Sequence, residues 1–410
     1  MPVPSPATRL LSRDFLLLWG VGAVGNAMRW LEVLAAALFT LEVTGSELAV
    51  ALVSAARSLP LIFTAAIAGV LADAIDRRLI VAGGLLLSGG GAAAVAVLSG
   101  LGVLQPWHLF IASLLSGLVY GTDMSARRRM LGESVAGFLA PRAIALDSLT
   151  VSASRFAGPL LGGAAYEFLG LTGTFAASAL LSLAAAAAAL RVRHAQVPRR
   201  LSVAMVAADL AEALGVVRRS AVLATLVLVT LGQNLFGFAY TTLIAPAGRD
   251  VFGVSAAMVG VLAAAEPAGG TLGGIAVALF GMPKGRPIKV FMFASAWFLA
   301  MLMLTATAPW FWATAGLLFT GGLALALYSN HQTNLALTEA PEAVRSRVMG
   351  LISTAIGGWP IGMLLAGWLA DRTGPLRAMG MLGAAGLLWV AAIAARGVTR
   401  AARTEPLSRP

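Results

Sequence analysis

Long apolar stretches separated by short polar segments recur along the whole chain. A membrane-spanning helix needs roughly 20 mostly apolar residues, and twelve stretches meet that requirement. They cover residues 15–41, 48–72, 79–101, 107–126, 141–168, 171–192, 220–246, 254–280, 288–306, 309–336, 346–370 and 377–396. A transmembrane β-barrel would alternate apolar and polar residues at every second position, which these stretches do not. The pattern predicts an all-α integral membrane protein with twelve transmembrane helices.

The longest connection between these stretches divides the chain near its middle. It covers residues 193–219, is basic, and contains at 203–217 a spacing typical of an amphipathic helix on a membrane surface. The two flanking parts resemble each other weakly, since Asn26 in the first stretch has a counterpart in Asn234 of the seventh. We therefore expect two pseudo-symmetric six-helix bundles, residues 1–192 and 220–410, joined by 193–219.

Composition and charge agree with a membrane protein and assign its sides. The chain is 59% hydrophobic and 11% charged, whereas soluble domains carry about 25% charged residues. Of its 29 lysines and arginines, 23 lie in the termini and in the connections that the twelve stretches place on the same side. Basic residues favour the cytoplasmic side, so both termini are expected there. The net charge of +11 therefore reflects topology, and nucleic acid is not expected as a partner.

The residues that most enzymes use are scarce. The chain has no cysteine, and its three histidines, His108, His194 and His331, are too scattered to form a metal cluster. The run Ser88–Gly91 lacks the lysine that a phosphate-binding loop requires. No metal, cofactor or enzymatic activity is expected.

Ionisable residues inside apolar stretches are costly, so each is a functional candidate. We single out Glu32, Glu266 and Asp123 as candidate proton carriers. Glu32 lies three residues after Arg29 and is expected to pair with it. The pair would be a coupling site or a static ion pair, and a further alternative is that Glu32 is part of a solvated cavity wall. Glu266 precedes Pro267, which predicts a broken or hinged helix; the alternative is a residue at a helix end. Asp123 is expected to serve as a gate, or to lie at the membrane interface.

A second group of polar and aromatic residues within the stretches is expected to line the substrate cavity. Arg155 is a candidate anchor for a carboxylate or catecholate, or else a structural partner of Glu32 or Asp147. The polar run around His331 is too dense to face lipid. The cavity candidates are Asn26, Arg29, Arg155, Asn234, Phe238, Tyr328, Asn330 and His331.

Two short motifs resemble signatures of the major facilitator superfamily. The segment 69–78, GVLADAIDRR, resembles that superfamily's loop between the second and third helices, although Asp76 replaces the usual second glycine. Gly158, Pro159, Gly162 and Gly163 resemble its antiporter-associated G-P-x-x-G-G pattern. Further stretches, such as 347–350 and 367–374, are similar to the enterobactin-exporter and macrolide-efflux-like branch.

The resemblance implies roles for these motifs. The gating loop would comprise Gly69, Asp73, Asp76, Arg77 and Arg78. By resemblance, Asp73 would face the start of the eleventh span, near residues 345–349, and Arg77 or Arg78 would pair with Asp123 or Glu133. The glycines and proline at 158–163 would form a kink and a close-packing face.

The predicted function is secondary transport by alternating access between the two bundles. By resemblance, the protein is expected to export an amphipathic small molecule, such as a siderophore or drug, in exchange for protons. It is expected to be monomeric among the lipids of a bacterial inner membrane. A lysophospholipid or lipid translocator and a non-transporting membrane sensor are the alternatives, although a sensor would be expected to carry a soluble domain larger than the central connection.

Overall fold

The computed structural model describes residues 10–193, 214–283, 286–308 and 310–403. Side chains are described for all of these except 61–74, 122, 343, 346 and 397–403. The described residues form helices and short connections, and ten helical segments among them are long and apolar enough to cross a membrane. The prediction of an all-α, multi-pass membrane protein is therefore confirmed.

The helices of the first part follow the predicted stretches closely. They are α1 (Arg13–Thr44), α2 (Glu47–Ala74), α3 (Arg77–Gly100), α4 (Pro106–Glu133) and α5 (Ala140–Leu190). α5 has 51 residues, too many for one crossing, and it covers the fifth and sixth stretches. Gly170 interrupts it with φ 64° and ψ −175°, a conformation essentially restricted to glycine. The chain direction changes there without an intervening loop.

The helices of the second part are less regular. They are α6 (Ala221–Gly232), α7 (Ala256–Phe280), α8 (Pro287–Leu304), α9 (Phe311–Glu339), α10 (Arg345–Ile356), α11 (Trp359–Thr373) and α12 (Pro375–Arg403). After α6 the chain continues through π-helical and 3₁₀ turns from Gln233 to Val251. The predicted amphipathic helix at 203–217 lies mostly outside the described residues. Its last residues, 214–217, are described and form a helix that continues to residue 219. Twelve crossings remain a prediction.

The chain divides into two compact units. Unit 1 comprises Met1–Ala204 together with Ile244–Pro267, and unit 2 comprises Met205–Leu243 together with Ala268–Pro410. The first half of α7 thus belongs to unit 1, although it follows the central connection in sequence. The predicted boundaries 1–192, 193–219 and 220–410 remain a prediction.

Candidate functional site

Unit 1 contains a cavity of about 60 Å³ between its helices, with charged and apolar side chains in its wall. Residues of α1, α2, α3, α4 and the second part of α5 line it. Five of these lining residues are ionisable side chains with formal charges: Arg29, Glu32, Arg57, Asp123 and Arg127. Burying so many charges in a membrane protein is costly unless they are paired or functional, so each of them requires a physical account.

Glu32 lines this cavity, and both of its carboxylate oxygens accept hydrogen bonds. Its carboxylate accepts a hydrogen bond from Arg57 at 2.6 Å and another from the Ser178 hydroxyl at 2.5 Å. The predicted pair with Arg29 is wrong, because the side chain of Arg57 on α2 reaches Glu32 instead. Arg57 was not singled out from the sequence, although its position inside an apolar stretch was a signal that could have identified it.

Because Arg57 pairs with Glu32, Arg29 does not have the acidic partner that the sequence predicted. Its guanidinium lies 3.5 Å from the ring centroid of Tyr120 and 5.8 Å from that of Trp30. No carboxylate among the described residues forms an ion pair with it. An arginine stacked on an aromatic face keeps its N–H donors available in the guanidinium plane, so Arg29 retains capacity for an anion.

Asp123 and Arg127, four residues apart on α4, are not paired with each other. Arg127 donates to Asp147 of α5 at 2.5 Å, and Arg128 donates to the same carboxylate at 3.2 Å. Oδ1 of Asp123 is buried and has no hydrogen-bond partner among the described residues. Buried carboxylate oxygens normally accept hydrogen bonds, so Asp123 is the acid of the cavity with unused bonding capacity.

Arg155 and Glu266 form an ion pair that joins α5 to the first half of α7. The distance from Arg155 Nη2 to the carboxylate is 3.2 Å. The predicted alternatives, in which Arg155 pairs with Glu32 or Asp147, are wrong because both acids are already engaged by other arginines. The glutamate side chain is 4% exposed and the arginine 38% exposed, so the arginine can also reach another ligand. The helix containing Pro267 runs unbroken from Ala256 to Phe280, which contradicts the predicted break, while the alternative of a hinge stays a prediction.

The described part of the gating loop forms two ion pairs at the beginning of α3. Arg77 pairs with Glu133 at 2.8 Å, as the resemblance implied. Asp76 accepts a hydrogen bond from the backbone N–H of Arg78 at 2.9 Å and pairs with its guanidinium at 2.7 Å. The replacement of the family's glycine by Asp76 thus supplies a helix N-cap. Gly69 and Asp73 lie outside the residues whose side chains are described.

The glycines of the antiporter-like motif are buried where α5 contacts its neighbours. A Cβ atom at Gly162 would lie 2.9 Å from Cα of Leu31 in α1, and one at Gly163 would lie 3.0 Å from Cα of Gly260 in α7. A Cβ atom at Gly158 would lie 2.5 Å from Cβ of Trp30, also in α1. The close-packing face predicted for 158–163 is therefore present, with backbone approaching backbone on two sides.

The candidates in unit 2 are mostly engaged with their own helices. Asn234 donates to the carbonyl of Thr230, as Asn26 donates to that of Gly22 in unit 1. His331 is buried, and its Nδ1 lies 2.9 Å from the carbonyl of Leu327. The remaining candidates are placed differently: Tyr328 is buried and stacked on Phe291, Phe238 lies near Phe298, and Asn330 is exposed.

A polar cluster that sequence reasoning missed lies at the end of unit 1 where α1 ends. Glu42 accepts hydrogen bonds from the Tyr166 hydroxyl and from Arg249, both at 2.5 Å. Nearby in sequence, Glu167 accepts from the backbone N–H of Ala257 at 2.7 Å, at the start of α7. These contacts join residues 90 to 207 positions apart, and no local pattern in the sequence indicates them.

Comparison with known proteins gives this arrangement a family. The sequence model of the family described as transmembrane secretion effector, one of the major facilitator families, matches residues 5–407. The chain belongs to this family. This family member is 27% identical to the multidrug efflux pump Tap of Mycolicibacterium fortuitum over 373 residues, 88% of this chain and 90% of that protein. It is thus a transporter of the major facilitator type, and the superfamily resemblance is confirmed.

Solved structures of other transporters share the fold of this family member. A bacterial homologue of the human lysosomal transporter Spinster superposes with a TM-score of 0.72 at 14% identity, over 95% of this chain and 97% of that one. The nucleoside transporter NupG gives 0.67 at 14% identity, over 93% of this chain and 98% of that one. At such identities the likeness concerns the fold alone.

Proposed function

We propose that the protein exports an amphipathic small molecule by proton-coupled alternating access. Membership of the secretion effector family and similarity to an efflux pump support transport and the outward direction. The proposal takes the bacterial inner membrane as the location, a monomer as the working form, and the cavity of unit 1 as part of the transport machinery.

The state of Asp123 is the observation that carries proton coupling. Glu32 has an arginine and a serine hydroxyl as partners, and Glu266 has Arg155. Asp123 lines the same cavity but leaves one buried carboxylate oxygen without a partner among the described residues. A buried ionised carboxylate needs such partners, whereas a protonated carboxyl carries no charge to compensate. We therefore place the proton on Asp123 in preference to Glu32 or Glu266, which stay candidates.

Alternating access is supported by the cluster around Glu42. If both termini are cytoplasmic, as the basic residues predict, Glu42, Tyr166 and Arg249 lie toward the outer face. There they hold the start of the second half of the chain against α1 and α5. Opening of this end requires loss of the Glu42–Arg249 pair and of the Glu167 hydrogen bond to Ala257. We propose that these contacts form an outer latch that closes and opens during transport.

Topology and gating complete the proposal. Twelve spans in two pseudo-symmetric bundles, with 193–219 as a cytoplasmic linker, follow from the hydropathy pattern, and the Arg77–Glu133 pair would stabilise the cytoplasmic end of unit 1. The chain contains no cysteine, so single cysteines introduced at residues 76 and 43 report their sides without background. Labelling from opposite sides of the membrane is expected, and labelling from one side contradicts this topology.

Flux in proteoliposomes tests the function. We would load vesicles with ethidium or 1-naphthoate, one cationic and one anionic amphiphile, and impose a pH gradient of either sign. Flux of at least one probe should respond to the gradient, and the sign that accelerates it gives the relative direction of proton and substrate. Asp123→Asn should abolish the response. Asp250→Asn, at an exposed aspartate outside the cavity, is the matched control and should retain it.

Two results would contradict the proposal. One is that neither probe moves faster under either gradient in the wild type. The other is that Asp123→Asn keeps the full response while Glu32→Gln or Glu266→Gln loses it, which would assign the proton to one of the other acids and remove Asp123 from the mechanism.

A further inference from the structure

Among Arg29, Arg57, Arg127 and Arg155 of unit 1, three arginines form ion pairs with acids and Arg29 is the fourth. Arg57 pairs with Glu32, Arg127 with Asp147, and Arg155 with Glu266. Among the described residues no acid forms an ion pair with Arg29, although this side chain lines the cavity. Arg29 is partly buried, and taking a charge out of water without a counter-charge costs free energy, so an arginine without an acidic partner at this position calls for an anionic ligand.

The surroundings of Arg29 increase its demand for an anion. Arg57 lines the same cavity and Arg155 approaches the same ring of Trp30, and each of these two arginines already has its own carboxylate. Tyr120 stabilises the guanidinium through its ring at 3.5 Å, which is a cation–π interaction and does not neutralise the charge. The local field therefore favours an added negative group over an added positive one.

The geometry also selects the kind of anion. Because the guanidinium is stacked on Tyr120, its N–H groups point along its own plane, where a planar carboxylate can accept two parallel hydrogen bonds. Trp30 has guanidinium groups of both Arg29 and Arg155 at 5.8 Å from its ring centroid. The site thus combines a fork of donors with aromatic surface, which fits a carboxylate attached to an apolar or aromatic body.

We propose that Arg29 binds the carboxylate of the transported amphiphile, so that the substrate class is organic carboxylates. The proposal deepens the proposed transport function and rests on it. Asp123 lines the same cavity, and its ionised form repels an anion. At a pH at which Asp123 is ionised, its replacement by asparagine should therefore strengthen binding of a carboxylate, whereas replacement of Arg29 should weaken it.

Equilibrium binding to the purified full chain tests this site without any gradient. The protein is placed in phosphatidylcholine nanodiscs, which contain no anionic lipid headgroup to occupy the arginine. The probes are 1-naphthoate, 1-naphthamide and 1-naphthylmethylammonium, which share one ring system and differ in the charge of its polar group. The wild type should bind naphthoate at least about tenfold more tightly than naphthamide, the factor expected for one charge-assisted pair, and the ammonium most weakly.

Variants assign the preference to the arginine. Arg29→Gln should bind naphthoate and naphthamide equally, and Arg29→Lys should keep part of the preference because it preserves the charge without the fork. Arg372→Gln is the matched control, since Arg372 also stacks on an aromatic ring, that of Trp368 at 4.0 Å, outside the cavity. This control should bind the probes as the wild type does.

Three outcomes overturn the inference: naphthoate fails to bind the wild type, naphthoate and naphthamide bind it equally, or Arg29→Gln retains the preference while its melting temperature shows that it is folded. If Arg29→Gln does not fold, Arg29→Lys and Asp123→Asn decide the matter through their opposite effects on naphthoate affinity. Failure of pH-driven flux with an intact naphthoate preference would contradict proton coupling and leave the carboxylate site standing.

Discussion

Removal of the buried ion pair between Glu32 and Arg57, one side at a time, is the sharpest test of the cavity's organisation. The Glu32 and Arg57 side chains are 4% and 9% exposed, and Nη2 of Arg57 lies 2.6 Å from Oε2 of Glu32. Removal of one member of a buried pair leaves an uncompensated charge and costs about 3–5 kcal/mol. We expect Arg57→Leu to lower the unfolding free energy by that amount, and Glu32→Gln by somewhat less because Ser178 can still donate to the amide oxygen.

The double variant distinguishes pairing from packing. If the cost of each single change is the stranded charge of the other member, Glu32→Gln combined with Arg57→Leu should lose much less than the sum of the two. Arg78→Gln is the control, since the Arg78–Asp76 pair is about one-third exposed on both sides and such surface pairs contribute about 0–1 kcal/mol. Unfolding by denaturant in detergent measures all four proteins. Additive single effects, or losses no larger than that of Arg78→Gln, would refute the reasoning.

Three further predictions concern packing, the latch and the buried histidine. Gly162→Val should reduce the yield of folded protein severely, since a Cβ atom there would lie 2.9 Å from Cα of Leu31. Gly20→Val is the control and should not reduce the yield, because a Cβ atom at Gly20 meets nothing within 4 Å. Fluorescence-detected size exclusion compares the two yields. Arg249→Gln should raise thiol labelling of a cysteine placed at residue 43 from the outside, because the Glu42 contact is lost; unchanged labelling would argue against the latch. His331→Gln should leave flux of the probes unchanged, because His331 lies outside the cavity of unit 1 and bonds to its own helix, and loss of flux would show that the histidine takes part in transport.

The sequence was sufficient to predict the helices but not most of the contacts between charged residues. Apolar runs of the right length located nearly every helix, because a bilayer imposes that length on any span. Local proximity on one helix was a poor guide to pairing. Glu32 is three residues from Arg29 yet bonds to Arg57, and Asp123 is four residues from Arg127 yet Asp147 takes that arginine. In a bundle, arginines on neighbouring helices reach an acid as easily as one on its own helix does.

Motif resemblance predicted one ion pair and one packing contact correctly. The Arg77–Glu133 pair and the tight packing of Gly158–Gly163 were both expected from it. The break at Gly170 and the cluster around Glu42 were missed, because the first depends on one backbone conformation and the second joins residues far apart in sequence.

The glycines shared by α5 and its neighbours have a consequence for how such signatures are used. Gly162 faces the backbone of α1, and Gly163 faces Gly260 of α7, so the requirement at these positions is the absence of a side chain. A sequence signature built on them records how closely three helices approach one another. We expect transporters that share it to share this close approach of helices, whichever ion drives them and whichever way the substrate moves. Searches with this pattern therefore group proteins by helix spacing, and the coupling ion has to be inferred from the acids that line each cavity.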